Sequence, residues 1–311
     1  MAAPSDATKR LKSWAFAAVP LVGLVELGAH VVQVRGVTPD SDWAAAKDAV
    51  QHDAKPEDLV TFAPRWVDPI GREKFGGAMA TLEREAPGDV SRFPRAFEVS
   101  IRGEHAADLS FWKKLGENKF GSVTVTTLEN PTYRPTLDDL VSHLTADAAV
   151  VSKADDHGET PCNFTTGAPQ TGNLGFGPAM PAQRFECGGA RVGVSVAADM
   201  DYYPHRCIYA PPPGGNSTLR IKFANVLFGD VLHGNHGLYV EAERGRSGSP
   251  ISISFSVADK KIGRATHQDG DSWKGFEFST GDLKGQRGDL VAEIASSTGN
   301  RRMYCFEAIT R

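Results

Sequence analysis

The chain has no G-x-S-x-G elbow, no Walker loop and no H-E-x-x-H helix. The short signatures of serine-hydrolase, nucleotide-binding and zinc-protease chemistry are therefore missing. Cysteine is scarce: there are four, and no two are spaced C-x-x-C, which speaks against a thiol redox motif or a zinc knuckle. No long basic run exists and the net charge is −4, so nucleic acid is not an expected partner. Asp199 and Asp201 stand close together, but glycosidase carboxylates are defined by separation in space, not in sequence. No catalytic residue, cofactor or metal is assigned on these grounds.

Long apolar runs are scarce as well. The exception is Leu11 to Val34, LKSWAFAAVPLVGLVELGAHVVQV. At about 1.5 Å per residue, Ser13 to Val34 spans roughly 33 Å of helix, enough to cross a bilayer core. Lys9, Arg10 and Lys12 precede it and acidic residues follow soon after. The positive-inside rule then leaves residues 1–11 as a cytoplasmic tail, 12–34 as a membrane signal-anchor, and the bulk of the chain outside. A cleaved signal would need small residues at its end, and Glu26-Leu27-Gly28-Ala29 is a poor match. A buried helix of a soluble protein is the third reading. All four cysteines, Cys162, Cys187, Cys207 and Cys305, follow this stretch, and an even number in an oxidising compartment favours disulfides.

About 277 residues remain after the anchor, enough for more than one domain. In residues 35–155, strand-like runs at Leu59–Ala63, Ala96–Ile101, Val123–Leu128 and Ala148–Ser152 alternate with helical patterns at DWAAAKDAVQHD, Val67–Glu85, Asp108–Gly116 and Leu137–Ala146. Such alternation predicts a small α/β domain with a parallel sheet. The C-terminal strand ends of such a sheet form an edge that holds ligands. Arg65, Trp66, Asp68 and Arg72 fall there and could grip a phosphate or a sugar. Arg102, Glu104 and His105 fall at the end of the next strand.

The run SDWAAAKDAV…KPEDLVTFAPRWVDPIGREKFG, with FEVSIRGEH and FGSVTVTTLENP, resembles the extracytoplasmic α/β region of bacterial GT-C membrane glycosyltransferase-like proteins. The resemblance covers roughly residues 26–155 and implies a fold and an exterior location. This chain has one apolar segment and lacks the family's acidic loop, so no catalytic residue carries over. An accessory or degenerate role with a lipid-linked sugar is the alternative function it implies.

Residues 156–185 are rich in Gly, Pro, Asn and Thr. They read as an irregular connector with Cys162 and Cys187 pinning its ends. From residue 186 the hydrophobic period changes to two. Ile251, Ile253, Phe255 and Val257 point inward while Ser252, Ser254 and Ser256 point outward. About nine such runs, from ARVGVSV to MYCFEAIT, predict an antiparallel β-sandwich of the jelly-roll kind. Sandwiches bring early and late strands together, which pairs Cys207 with Cys305. The pattern from Val226 to Thr280 resembles galactose-binding-type sandwiches, in which a pair like ISISFSVADKKIG precedes WKGFEFST and end loops bind carbohydrate. Here the candidate loops hold His233, Asn235, His236, His267, Asp269 and Trp273, a set suited to a sugar ring. The two histidines and the Asp269-Gly270-Asp271 turn offer too few ligands for zinc or calcium. The expected protein is a non-enzymatic envelope module, anchored through residues 12–34, that binds a glycan or an envelope partner.

Overall fold

The computed structural model describes residues 18–31, 37–76, 86–169, 179–299 and 302–311. Residues 18–31 form helix α1, whose side chains are exposed all round. No helix among the described residues is long and apolar enough to cross a membrane. Residues 12–17 and 32–34 of the expected anchor lie outside the described residues.

A small mixed unit follows. Strands β1 (Leu59–Ala63), β2 (Arg95–Ile101), β3 (Lys113–Phe120) and β4 (Val123–Glu129) lie in the order β1-β2-β4-β3. Only β1 and β2 are parallel, and the other two pairings are antiparallel. This corrects the expectation of a parallel sheet. Helices α2 (Asp40–Asp53) and α3 (Asp68–Phe75) cover one face. There Trp43, Ala46, Val50 and Phe75 pack on Phe62, Phe97, Val99 and Val125. Leu59, Ala96 and Leu128 line the other face with Leu109 and Trp112. The helix expected at Asp108–Gly116 is a single turn, Ala107–Leu109, followed by β3. Leu109 and Trp112 have helical spacing, but Gly121, at φ 57, turns β3 back onto β4 as a hairpin. The exposed lysines of β3 suit an edge strand. The helix expected at Val67–Glu85 is α3 as far as Phe75, and 77–85 lie outside the described residues. The helix expected at Leu137–Ala146 shrinks to Leu140–His143, behind β5 (Asp138–Asp139).

The rest is sheet on sheet. The first sheet runs β16 (Lys274–Ser279), β13 (Val231–Leu238), β18 (Tyr304–Thr310), β11 (Pro204–Tyr209), β10 (Ala190–Ala198), β9 (Gln183–Cys187), β8 (Asn163–Thr166), with β5 beside β18. The second runs β15 (Lys260–His267), β14 (Ile251–Val257), β17 (Arg287–Ala295), β12 (Thr218–Leu227), β6 (Ala149–Asp155), β7 (Gly158–Pro161). Within both sheets the pairings are antiparallel. The apolar faces meet in one core that includes Ile208, Leu219, Ile221, Phe223, Ile253, Phe255 and Phe306. Each such side chain contributes about 1.5–3 kcal/mol on burial.

Strand β6, expected in the α/β sheet, pairs with β12 and β7 of the sandwich. The connector also supplies β7 to the second sheet and β8 and β9 to the first, while 170–178 lie outside the described residues. The GLYVEAE run alternates like the other strand runs, but β13 ends at Leu238 and the helical turn Val240–Gly245 follows. Cys162 lies where the chain passes from one sheet to the other, and it is bonded to Cys187 at the end of β9. Cys207 on β11 is bonded to Cys305 on β18.

The two units touch through residues 86–93, which lie across the outer face of the first sheet. The Arg206 amide donates to the Ala86 carbonyl at 2.8 Å. The Trp273 indole donates to the Gly88 carbonyl at 2.7 Å. A Cβ on Gly88 would sit 2.6 Å from Glu307 Cγ, so only glycine fits there.

Candidate functional site

The constellation predicted at the end of β1 is assembled, but its groups are engaged with one another. Arg65 reaches Asp199 and Asp201 of the sandwich, each at 3.4 Å. Arg72 donates to buried Asp68 at 2.5 Å. Both guanidinium groups lie over the Tyr203 ring, at 4.9 and 5.4 Å. Burial, with the Asp68 charge second, pushes the Tyr203 phenol up to about 12. Asp199 also accepts from His205 at 3.1 Å. Burial alone would raise the Asp199 carboxyl, but that hydrogen bond and the nearby charges hold it below its ordinary value. Trp66 stands apart, exposed, with Arg102 over its ring at 5.4 Å. His105 and the Ala106 amide both bind Glu98. The arrangement closes the junction between the units.

The residues predicted on the sandwich loops separate onto opposite faces, because alternate residues of β13 point opposite ways. His233 and Asn235 face the covering segment: His233 meets Asp89 at 3.0 Å, and Asn235 donates to Glu307 at 2.9 Å. His236 points into the core, 2.7 Å from the Tyr304 hydroxyl. Burial, aided by the His267 charge, lowers it to about 3 and keeps it neutral. His267 is fully buried against Glu243, at 2.9 Å, and Glu243 also accepts the Gly270 and Ser272 amides. Asp269 accepts from Arg302 and the Gly248 amide. Trp273 stacks on His205 at 4.3 Å and 8°. Among the described residues no group of three or more His, Cys, Asp or Glu is placed to hold a metal.

An open feature lies on the outer face of the second sheet. A groove of about 440 Å³ runs over β15, β14, β17 and β12. It continues into a hollow of about 370 Å³ that shares Thr218, Ser252, Arg264 and Ala295 with it. Register explains its shape. Ser254 lies across from Arg264 on one side and Glu293 on the other, and Glu293 lies across from Arg220. Two residues along, about 7 Å away, Ser252 lies across from Thr266 and Ala295. Ser256 lies across from Lys261. Small side chains on β14 thus make a floor, and long ones on β15, β17 and β12 make the walls.

The two walls differ. Arg220 donates to Glu293 at 2.7 and 3.1 Å and to Glu159 at 3.1 Å. The Glu293 hydrogen bond, the largest influence, holds the guanidinium above its ordinary pKa. Arg264, Lys261 and the hydroxyls of Ser252, Ser254 and Ser256 have no protein partner among the described residues. The alternation in ISISFSV points these serines outward. The signal was there: three outward serines in a row on an interior strand leave a trough.

No protein-family model and no curated protein matches the chain. The GT-C resemblance therefore has no support. Among solved structures, the chain is similar to the CBM51-2 and INT domains of Clostridium perfringens ZmpB in complex with GlcNAc, at 10% identity and a TM-score of 0.28, over 52% of this chain and 37% of that one. It is similar to the M60 catalytic domain of ZmpB with both CBM51 domains, at 10% and 0.28, over 61% and 21%. A third is the mannan-recognising carbohydrate-binding module TmCBM27, at 9% and 0.24, over 38% and 80%. The chain spans little more than a third of the first of these structures. Scores this low carry no argument about ligand or mechanism.

Proposed function

We propose that the chain is a non-enzymatic glycan-binding module of the cell envelope, with the sugar seated in the groove on the second sheet. The observation that carries this is the set of unclaimed polar groups on a rigid floor: the β14 serines and Arg264, facing Glu293 with its Arg220 partner. Sugar hydroxyls both donate and accept, and serine hydroxyls, a carboxylate and a guanidinium answer both roles. Strands fix these groups with little ordering cost on binding. In the Arg65 and His233 clusters, by contrast, the cationic side chains are already paired with carboxylates of the protein.

A glycan array probed with the purified chain tests the reading, followed by titration of whichever glycan is retained. Ser254→Trp fills the middle of the floor from a side chain that points away from the core, so the fold tolerates it. The expected result is a retained glycan whose binding is lost in S254W. An empty array, or undiminished binding by a folded S254W variant, refutes it.

The envelope location is part of the same proposal. Two disulfides fit an oxidising compartment. Val19, Leu21, Val22, Leu24 and Val25 of α1 are all more than half exposed, and such a surface needs lipid or protein against it. The proposed anchor is residues 12–34, with the sandwich outside.

A further inference from the structure

Resting on that glycan-binding reading, the charges in the groove narrow the ligand class. On the β12–β17 wall Arg220 is held by Glu293 and Glu159, so that wall has no spare positive charge. On the β15 wall Arg264 and Lys261 are both unpaired among the described residues. Asp259 sits in the turn at the groove's end, between β14 and β15, and offsets one of the two. Arg264 lies mid-groove, directly across from Ser254. Its five N–H donors form a planar fork that matches a carboxylate or sulfate edge. A neutral sugar leaves that fork to water.

The opposite wall fixes the orientation. Glu293 is two strands from Arg264, about 10 Å between backbones, which leaves room for one sugar ring. A ligand anion on the Glu293 side would meet a carboxylate. On the Arg264 side it meets an unpaired cation while the ring hydroxyls donate to Glu293. We propose that the groove selects glycans bearing an anionic group, a sugar carboxylate or a sulfate ester, and that Arg264 receives it.

The test uses the full chain and three probe sets: unsulfated uronate polymers such as polygalacturonate and alginate, sulfated polymers such as dextran sulfate, and neutral polymers such as mannan and galactan. Arg264→Ala is compared with Arg264→Lys and with Lys113→Ala, a distant exposed cation. Anionic probes should bind, R264A should weaken them about tenfold or more, R264K should fall between, and K113A should bind as the parent does. The uronate and sulfate sets then tell which anion is taken. Binding of neutral probes alone overturns this inference and leaves the glycan reading standing. Equal losses in R264A and K113A also overturn it, since they report general surface charge. No binding in any set overturns the glycan reading itself.

Discussion

Glu307 gives the sharpest energetic test of how the two units are joined. It lies on β18, fully buried, facing out of the first sheet beneath residues 86–93. Asn235 donates to one carboxyl oxygen at 2.9 Å, and the other has no partner among the described residues. Burial, with the Asp89 charge second, pushes the carboxyl from 4.5 up to about 7, against the pull of Arg92 and the Asn235 hydrogen bond. An acid whose folded pKa is raised is most favourable to folding below its unfolded pKa. Its contribution falls as pH rises from 4.5 to about 7 and stays low above that. At about 1.4 kcal/mol per pH unit, the full fall is about 3 kcal/mol. His233 works in the same direction above 6.5: burial alone would lower it, but the Asp89 hydrogen bond and charge raise it. Asp89, held low by His233 against its own burial, loses its contribution on the acid side of 3.8. Glu307→Gln keeps the acceptor for Asn235 and removes the charge. The variant should match the parent near pH 4 and exceed it by up to about 3 kcal/mol at about pH 8. Urea denaturation across that range, followed by tryptophan fluorescence and far-ultraviolet dichroism, reads the difference. A difference that does not vary with pH, or a variant weaker than the parent at about pH 8, refutes the argument.

Two further outcomes are expected. The Cys207–Cys305 bond closes 98 residues and the Cys162–Cys187 bond 25, so chain entropy assigns them about 4.7 and about 3.5 kcal/mol; Cys207→Ser should lower the urea midpoint more than Cys162→Ser. Protease added to intact cells should digest the chain beyond residue 36 and spare the N-terminus; a mature protein starting near His30, or an untouched chain, would sink the proposed anchor and orientation.

The sandwich was legible because a two-residue period is a strong signal. ISISFSV could place only one face inward, and its isoleucines and phenylalanine are buried as that period requires. The small unit was less legible. Its parallel β1–β2 pair follows from the helical crossover, but DLSFWKKLG offers helical spacing to a segment that the Gly121 turn commits to a hairpin. The grouping of the candidate site residues was less legible for another reason. Period two says which side chains leave the core but not what covers them. His233 and Asn235 leave the core of the first sheet and meet Asp89 and Glu307, contributed from distant parts of the chain. His236, one residue on, turns inward and packs against Tyr304 and His267. Residues adjacent in sequence therefore entered one predicted site and ended on two sides of a sheet.

The same contrast explains why the groove is on the second sheet. Both sheets have a polar outer face, and among the described residues it is the first that residues 86–93 partly cover. There His233 meets Asp89, Trp273 meets the Gly88 carbonyl, and glycine at 88 is required where the segment meets Glu307. The second face needs no such matching, and a solvated face of an interior strand gains most from large or β-branched side chains that pack on their cross-strand neighbours. Strand β14 lies between β15 and β17, yet carries serine at all three outward positions 252, 254 and 256. Edge protection accounts for the charges on β15, but not for small residues on the strand beside it. Serines there forgo cross-strand packing, and what they leave is a trough walled by Arg264 and Glu293. Space of that kind, kept open by sequence on a rigid sheet, is what a binding floor requires and a purely structural face does not.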